Sequence, residues 1–127
     1  MKIWLILFCM IFCHIVDDYY LQGVLAKLKQ RSWWEENAPQ EEYKNDYKIA
    51  LRMHAFSWSF MIMLPIAAAI NFNVDINFFF MFIINAVFHA AVDDLKANKY
   101  RINLWTDQLT HIGQILVTFI LYTLGVF

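Results

Sequence analysis

Charged residues are missing from long stretches of this chain: Lys2 is followed by none until Asp17, Arg52 by only Asp75 before Asp93, and Asp107 by none at all. With 61% hydrophobic and 17% charged residues, the sequence is too apolar for an ordinary soluble domain. The gaps match the ~20 residues that cross a hydrocarbon core. Four spans are therefore predicted, at about Ile3 to Ala26, Ile49 to Ile70, Ile76 to Leu95 and Asn103 to Val126. The predicted fold is an all-α integral membrane protein, a four-transmembrane-helix bundle forming one membrane domain over residues 1–127. A soluble bundle of this length would have no second layer to cover helices that are apolar on every side. Met1-Lys2 before an apolar run resembles a signal peptide, but no small-residue cleavage site follows.

Nine of the ten basic residues fall between spans one and two (Lys27, Lys29, Arg31, Lys44, Lys48, Arg52) or between spans three and four (Lys96, Lys99, Arg101). By the positive-inside rule both termini face outward, and the chain is expected as a multi-pass protein of the inner, cytoplasmic membrane. Within the cytoplasmic connection 27–48, Ser32-Trp33-Trp34-Glu35 reads as a capping box that opens a short interfacial helix. Pro39 followed by Gln40, Glu41 and Glu42 predicts that helix two starts ahead of the bilayer, with a kink expected at Pro65.

Each of the four histidines lies in a different span, and three have an aspartate four residues away: His14 with Asp18, His89 with Asp93, and His111 with Asp107. Residues four apart share a helix face, with Cβ atoms about 5–6 Å apart, so both can reach one ion. His54 stands without a carboxylate, and all seven groups fall near the cytoplasmic ends of their spans. Gln22, Ser57, Asn85, Asn103 and Gln108 lie on or beside the same faces and are expected to support them. Three aspartates placed deep and unpaired would cost roughly 8–10 kcal/mol, which favours a ligand that compensates them over a polar core bonded only to itself. Imidazole and carboxylate suit a divalent metal, zinc first and manganese or iron next, as one ion or two. Cys9 and Cys13 are read as small core residues.

The ordered set His14-x-x-x-Asp18-x-x-x-Gln22, an isolated His54, His89-x-x-x-Asp93 with Lys96 following, and Asp107-Gln108-x-x-His111 resembles a family of small bacterial and phage membrane proteins known as domain of unknown function 3307. That family is distantly similar to membrane-bound metal-dependent hydrolases, and the chain departs from its pattern in the long, tryptophan-bearing first connection. The resemblance implies a hydrolase whose metal activates water near the inner leaflet. Asp17 or Asp94 would serve as general base or as a further ligand, Lys96 would attract an anionic head group, and a lipid or polyprenyl phosphate is the substrate class expected. Two other functions use the same residues. A non-catalytic protein would be stapled by its metal and would recruit a cytoplasmic partner through Trp33, Trp34 and the surface from Glu35 to Lys48; a homo-oligomer or a membrane-protein partner is the other association expected. A metal or proton transporter would need polar residues in the outer halves of the spans, which are almost free of them. Nucleic-acid binding has no basis at a net charge of −1.

Overall fold

The computed structural model describes residues 2–127 and is all-α. Helix α1 (Ile3–Val16) passes into a single π-helical turn (Asp17–Leu21). Two short helices follow, α2 (Leu25–Leu28) and α3 (Arg31–Asn37), then a 3-10 turn (Glu41–Tyr43). Three long helices complete the chain: α4 (Asp46–Ala69), α5 (Ile76–Ala97) and α6 (Leu104–Thr123). Three helical stretches, Ile3–Leu21, Glu41–Ala69 and Ile76–Ala97, are long and apolar enough to cross a membrane. Helix α6 is comparable in length at 20 residues, but Asp107, Gln108, His111 and Gln114 lower its apolar character.

The first predicted span ends early. Its helix was expected to reach Ala26, whereas the chain breaks at Gly23, whose φ of +51° lies in the left-handed region that glycine enters without a Cβ penalty. Just before the break the Gln22 amide donates to the Asp17 carbonyl, five residues back, at 3.0 Å. Such π turns add a residue to the helical turn, and here both Asp17 and Asp18 face α4, although neighbours on an α-helix lie about 100° apart. The widened turn leaves the Asp18 carbonyl to the Gln22 side-chain amide, which donates to it.

The short helix expected in the first connection is present as α3, but Ser32 does not cap it. The helix starts two residues earlier than such a cap would set, at Arg31, whose amide donates to Asn98 Oδ1 at 2.7 Å. Asn98 also donates to the Lys29 carbonyl at 3.2 Å and to Asp94 Oδ1 at 2.9 Å, so the end of α5 fixes the α2–α3 segment. Trp34 is turned onto its own chain, donating to the Leu28 carbonyl at 2.7 Å. Ahead of α4, the Pro39 start signal yields only the 3-10 turn, and α4 begins after Asn45. Helix α4 carries Pro65 in its interior and remains helical to Ala69. Side-chain caps open the last two helices: Asp75 accepts from the Phe78 amide and Asn103 from the Thr106 amide, each at 2.9 Å.

Helix α4 packs against both α1 and α5, and α6 closes the bundle against α5 and α1. At the end holding both chain termini, the interior is apolar: Ile6, Met10, Ile62, Met63, Ile66, Phe78, Ile115 and Phe119 form one buried cluster with Trp58. Large apolar side chains also cover the outside, among them Trp4, Phe8, Phe12, Phe79, Phe80 and Val87. A surface of this kind suits lipid, and the chain is membrane-associated by length and apolarity of its helices.

Candidate metal centre

At the other end the interior is ionisable. His14, His54, His89 and His111 are each no more than 1% exposed, one from each of α1, α4, α5 and α6, and Asp17, Asp93 and Asp107 are buried beside them. In an apolar helix the few polar side chains turn inward, because unpaired polar groups facing lipid are costly.

Three histidines point the same nitrogen at one region. His54 Nε2 lies 3.2 Å from His89 Nε2, 3.3 Å from Asp18 Oδ1 and 3.4 Å from Asp93 Oδ2. His111 Nε2 lies 3.2 Å from Asp93 Oδ1 and 3.3 Å from Asp107 Oδ1, and His89 Nε2 is 3.7 Å from Asp93 Oδ1. Ligands held tetrahedrally about 2.0–2.1 Å from an ion stand ~3.3 Å from one another. Two sets have their donor atoms grouped closely enough to hold a metal ion: Asp18, His54 and His89, and His89, Asp93 and His111. They share His89, whose Nε2 faces both. Asp18 Oδ1 and Asp107 Oδ1 are buried without a hydrogen-bond donor, as expected for carboxylate oxygens that await a cation.

Of the seven residues singled out as ligands, five therefore fall in these sets. Asp107 is adjacent, with its other oxygen taking Lys96 Nζ at 2.7 Å and Gln108 Nε2 at 3.1 Å. His14 is engaged at both nitrogens: Nδ1 accepts from the Trp58 indole at 2.8 Å, and Nε2 is 3.2 Å from Gln108 Oε1. That pairing makes His14 neutral with its proton on Nε2.

The supporting residues divide sharply. Ser57 Oγ donates to Asp17 Oδ1 at 2.6 Å, and Asp17 Oδ2 lies 3.6 Å from His54 Nδ1, on the far side of the ring from the cluster. At that distance the two atoms are not hydrogen-bonded, but the carboxylate stands on the side of the ring from which metal-binding imidazoles are commonly supported. Gln108 spans His14, Asp107 and Asp18. Asn85 faces the apolar end instead, where Gln114 and Thr118 donate to its Oδ1 at 2.8 and 3.1 Å. Asn103 serves as the α6 cap, and Gln22 donates to the Asp18 carbonyl and lines a cleft together with Asp93. Asp94 pairs outside the cluster with Lys99 at 2.9 Å.

Two participants escaped sequence reasoning. Lys29, beyond the Gly23 break, reaches back to Asp93 Oδ2 at 2.6 Å. Trp58 stacks on His89 with ring centroids 4.2 Å apart and planes 18° from parallel. Its position four residues after His54 was the available signal. Four carboxyl groups, Asp17, Asp18, Asp93 and Asp107, and two ammonium groups, Lys29 and Lys96, are gathered at this end of the bundle.

Two openings reach this region. A cleft of about 340 Å³ between α2 and α5 is lined by Lys29, Asp93, Lys96 and Tyr100. A wider groove of about 900 Å³ between α1 and α6 runs along Tyr19, Tyr20 and Trp105 to His14 and Gln108. Comparison with protein-family models, with curated proteins and with solved structures finds no match to this chain.

Proposed function

We propose that this protein is a multi-pass membrane metalloprotein in which one divalent ion joins α1, α4, α5 and α6 at their cytoplasmic ends. The carrying observation is the convergence of His54, His89 and His111 Nε2 on Asp18 and Asp93, with five of the contacts that build the cluster at 3.2–3.4 Å. One ion rather than two fits the His89 nitrogen, which faces both ligand sets and has a single lone pair to give. Zinc suits imidazole with carboxylate, and manganese or iron suits the same donors. Helix α6 is the fourth span and both termini lie outside, in accord with the bias of lysine and arginine. Kinship with the family of membrane proteins that the motif order resembles belongs to the same proposal.

In this reading the ion's first task is structural. Its ligands come from four separate helices, so binding energy becomes energy of helix association. The cluster is closed toward the termini by Trp58, Ile62, Met63 and Ile115, none more than 1% exposed, which disfavours a transport path through the bundle. A partner that docks on the surface from Glu35 to Lys48 completes the non-catalytic form of the proposal.

One observation favours a second reading, hydrolysis of a lipid or polyprenyl phosphate. The cleft beside α2 opens on Asp93 between two ammonium groups, Lys29 and Lys96, and an anionic group entering there would meet the ligand shell directly. Hydrolysis would need an open position on the ion, whereas a staple does not.

Elemental analysis of the detergent-purified protein beside an Asp18→Ala, His89→Ala variant tests the core of both. One equivalent of metal in the wild type, lost in the variant, is expected. No stoichiometric metal after supplementation would overturn both readings and leave a polar core bonded only to itself. Phosphate release from polyprenyl phosphate by the loaded protein then separates the second reading from the first.

A further inference from the structure

On the face of the bundle formed by α4 and α5, away from the metal ligands, a cleft of about 400 Å³ is lined by Tyr47, Lys48, Arg52, Ala91, Asp94 and Lys99 among others. Lys48 and Arg52 are one turn apart on α4, so their like charges share a helix face and repel. Lys99 comes from beyond the end of α5 and pairs with Asp94 at 2.9 Å. Asp94 is the cleft's one carboxylate, so three cations leave two positive charges without a counter-ion. Among the described residues neither Lys48 nor Arg52 comes within ion-pair distance of a carboxylate, and the Lys48 ammonium lies over the Tyr47 ring, 5.8 Å from its centroid.

The surroundings of Arg52 identify the missing anion. On the same helix Ile49, Met53 and Phe56 are exposed by 52%, 58% and 59%, a face suited to lipid chains rather than water. An arginine in such a setting extends its guanidinium toward the headgroup layer. Alanine at 90 and 91 on the α5 wall lets a headgroup approach between the helices. Basic pockets between membrane helices on the cytoplasmic side are known sites for anionic lipid headgroups, and guanidinium in particular binds phosphate through two parallel hydrogen bonds.

We propose that the α4–α5 cleft binds the phosphate of an anionic phospholipid, held by Arg52 and Lys48 with Lys99 at its rim. The site is independent of the metal centre and rests only on the membrane topology proposed above.

The full-length protein in detergent, titrated with phosphatidylglycerol and with phosphatidylcholine and read by native mass spectrometry, tests this. Retention of phosphatidylglycerol over phosphatidylcholine is expected in the wild type. A Lys48→Gln, Arg52→Gln variant should bind phosphatidylglycerol roughly tenfold more weakly or worse, while Arg52→Lys alone, which keeps the charge and loses the paired hydrogen bonds, falls between that variant and the wild type. A control variant, Lys27→Gln with Arg101→Gln, removes the same charge from outside the cleft and should bind as the wild type does. Equal binding by the Lys48/Arg52 variant would overturn the proposal. So would an equal loss in the control, since the attraction would then be diffuse. Displacement of the lipid by inorganic phosphate at matched concentration would overturn the lipid assignment and mark the cleft as a site for the free anion.

Discussion

The two ends of this bundle are built from the same helices by opposite means. At one end Ile6, Met10, Ile62, Met63, Ile66 and Phe119 fill the interior with hydrocarbon. At the other, histidine and aspartate fill it with groups that each need a partner. In lipid an apolar interior gains little from leaving its surroundings, since acyl chains are as apolar as leucine, so the apolar end holds by close packing. The ionisable end holds by directional contacts that depend on a cation. Trp58 belongs to both: its ring packs within the apolar cluster and stacks on His89, while its N–H fixes His14. The comparison implies that one end can be loosened without the other.

Asp93 is the place where that separation breaks with the largest effect. Its carboxylate meets His54, His111 and Lys29 within 3.4 Å, so Asp93→Ala removes a ligand and leaves buried imidazoles and the partly buried Lys29 ammonium without their partner. Loss of the metal and destabilisation of about 3–5 kcal/mol are expected, read by elemental analysis and by thermal unfolding in detergent. Unchanged metal content with an unchanged melting temperature would remove the basis for treating this end as a metal site.

Ile62→Ala probes the apolar end by leaving a void in the packed cluster, at a cost of about 2–5 kcal/mol. The expected signature is a lower melting temperature with metal content intact. Should the metal leave as well, the two ends form one cooperative unit and the comparison fails.

A finer test lies behind the ligands. Asp17→Asn and Ser57→Ala each weaken the support of His54 from its Nδ1 side, and loss of such support lowers metal affinity about 10–100-fold. Metal-free stability should change less than affinity, which competition with a coloured chelator measures against unfolding of the stripped protein. If Asp17→Asn binds metal as tightly as the wild type, the aspartate only fills space beside Ser57.

How much of this could be read beforehand depends on what sequence spacing encodes. It encodes azimuth on a helix, which is why His14, His54, His89 and His111 were expected on inward faces, and all four are buried. It encodes apolar length well enough to find α4 and α5 within a few residues of their ends. Spacing does not encode a local change of helical pitch, so the π turn that brings Asp17 in beside Asp18 was invisible. Nor does it give the path after a left-handed glycine, and Lys29 reaches Asp93 only because the chain turns at Gly23. Asn85 illustrates a third limit. Four residues before His89, it shares that residue's face, but the axial offset between α5 and α6 sets Gln114 and Thr118 opposite it instead of the ligands.

That last group gives the smallest expected effect and the cleanest boundary between the ends. Thr118 is buried, donates to Asn85 Oδ1 at 3.1 Å and lies just beyond Gln114, which donates to the same oxygen. Thr118→Val keeps the shape and removes one interhelical hydrogen bond, and Gln114 still satisfies Asn85. Bonds of this kind between membrane helices average about 0.6 kcal/mol and reach ~1.7 kcal/mol at most. A small fall in melting temperature with no change in metal affinity is therefore expected. A loss of metal affinity as large as that of Asp17→Asn would extend the ionisable end through Gln114 into the half of the bundle here assigned to packing.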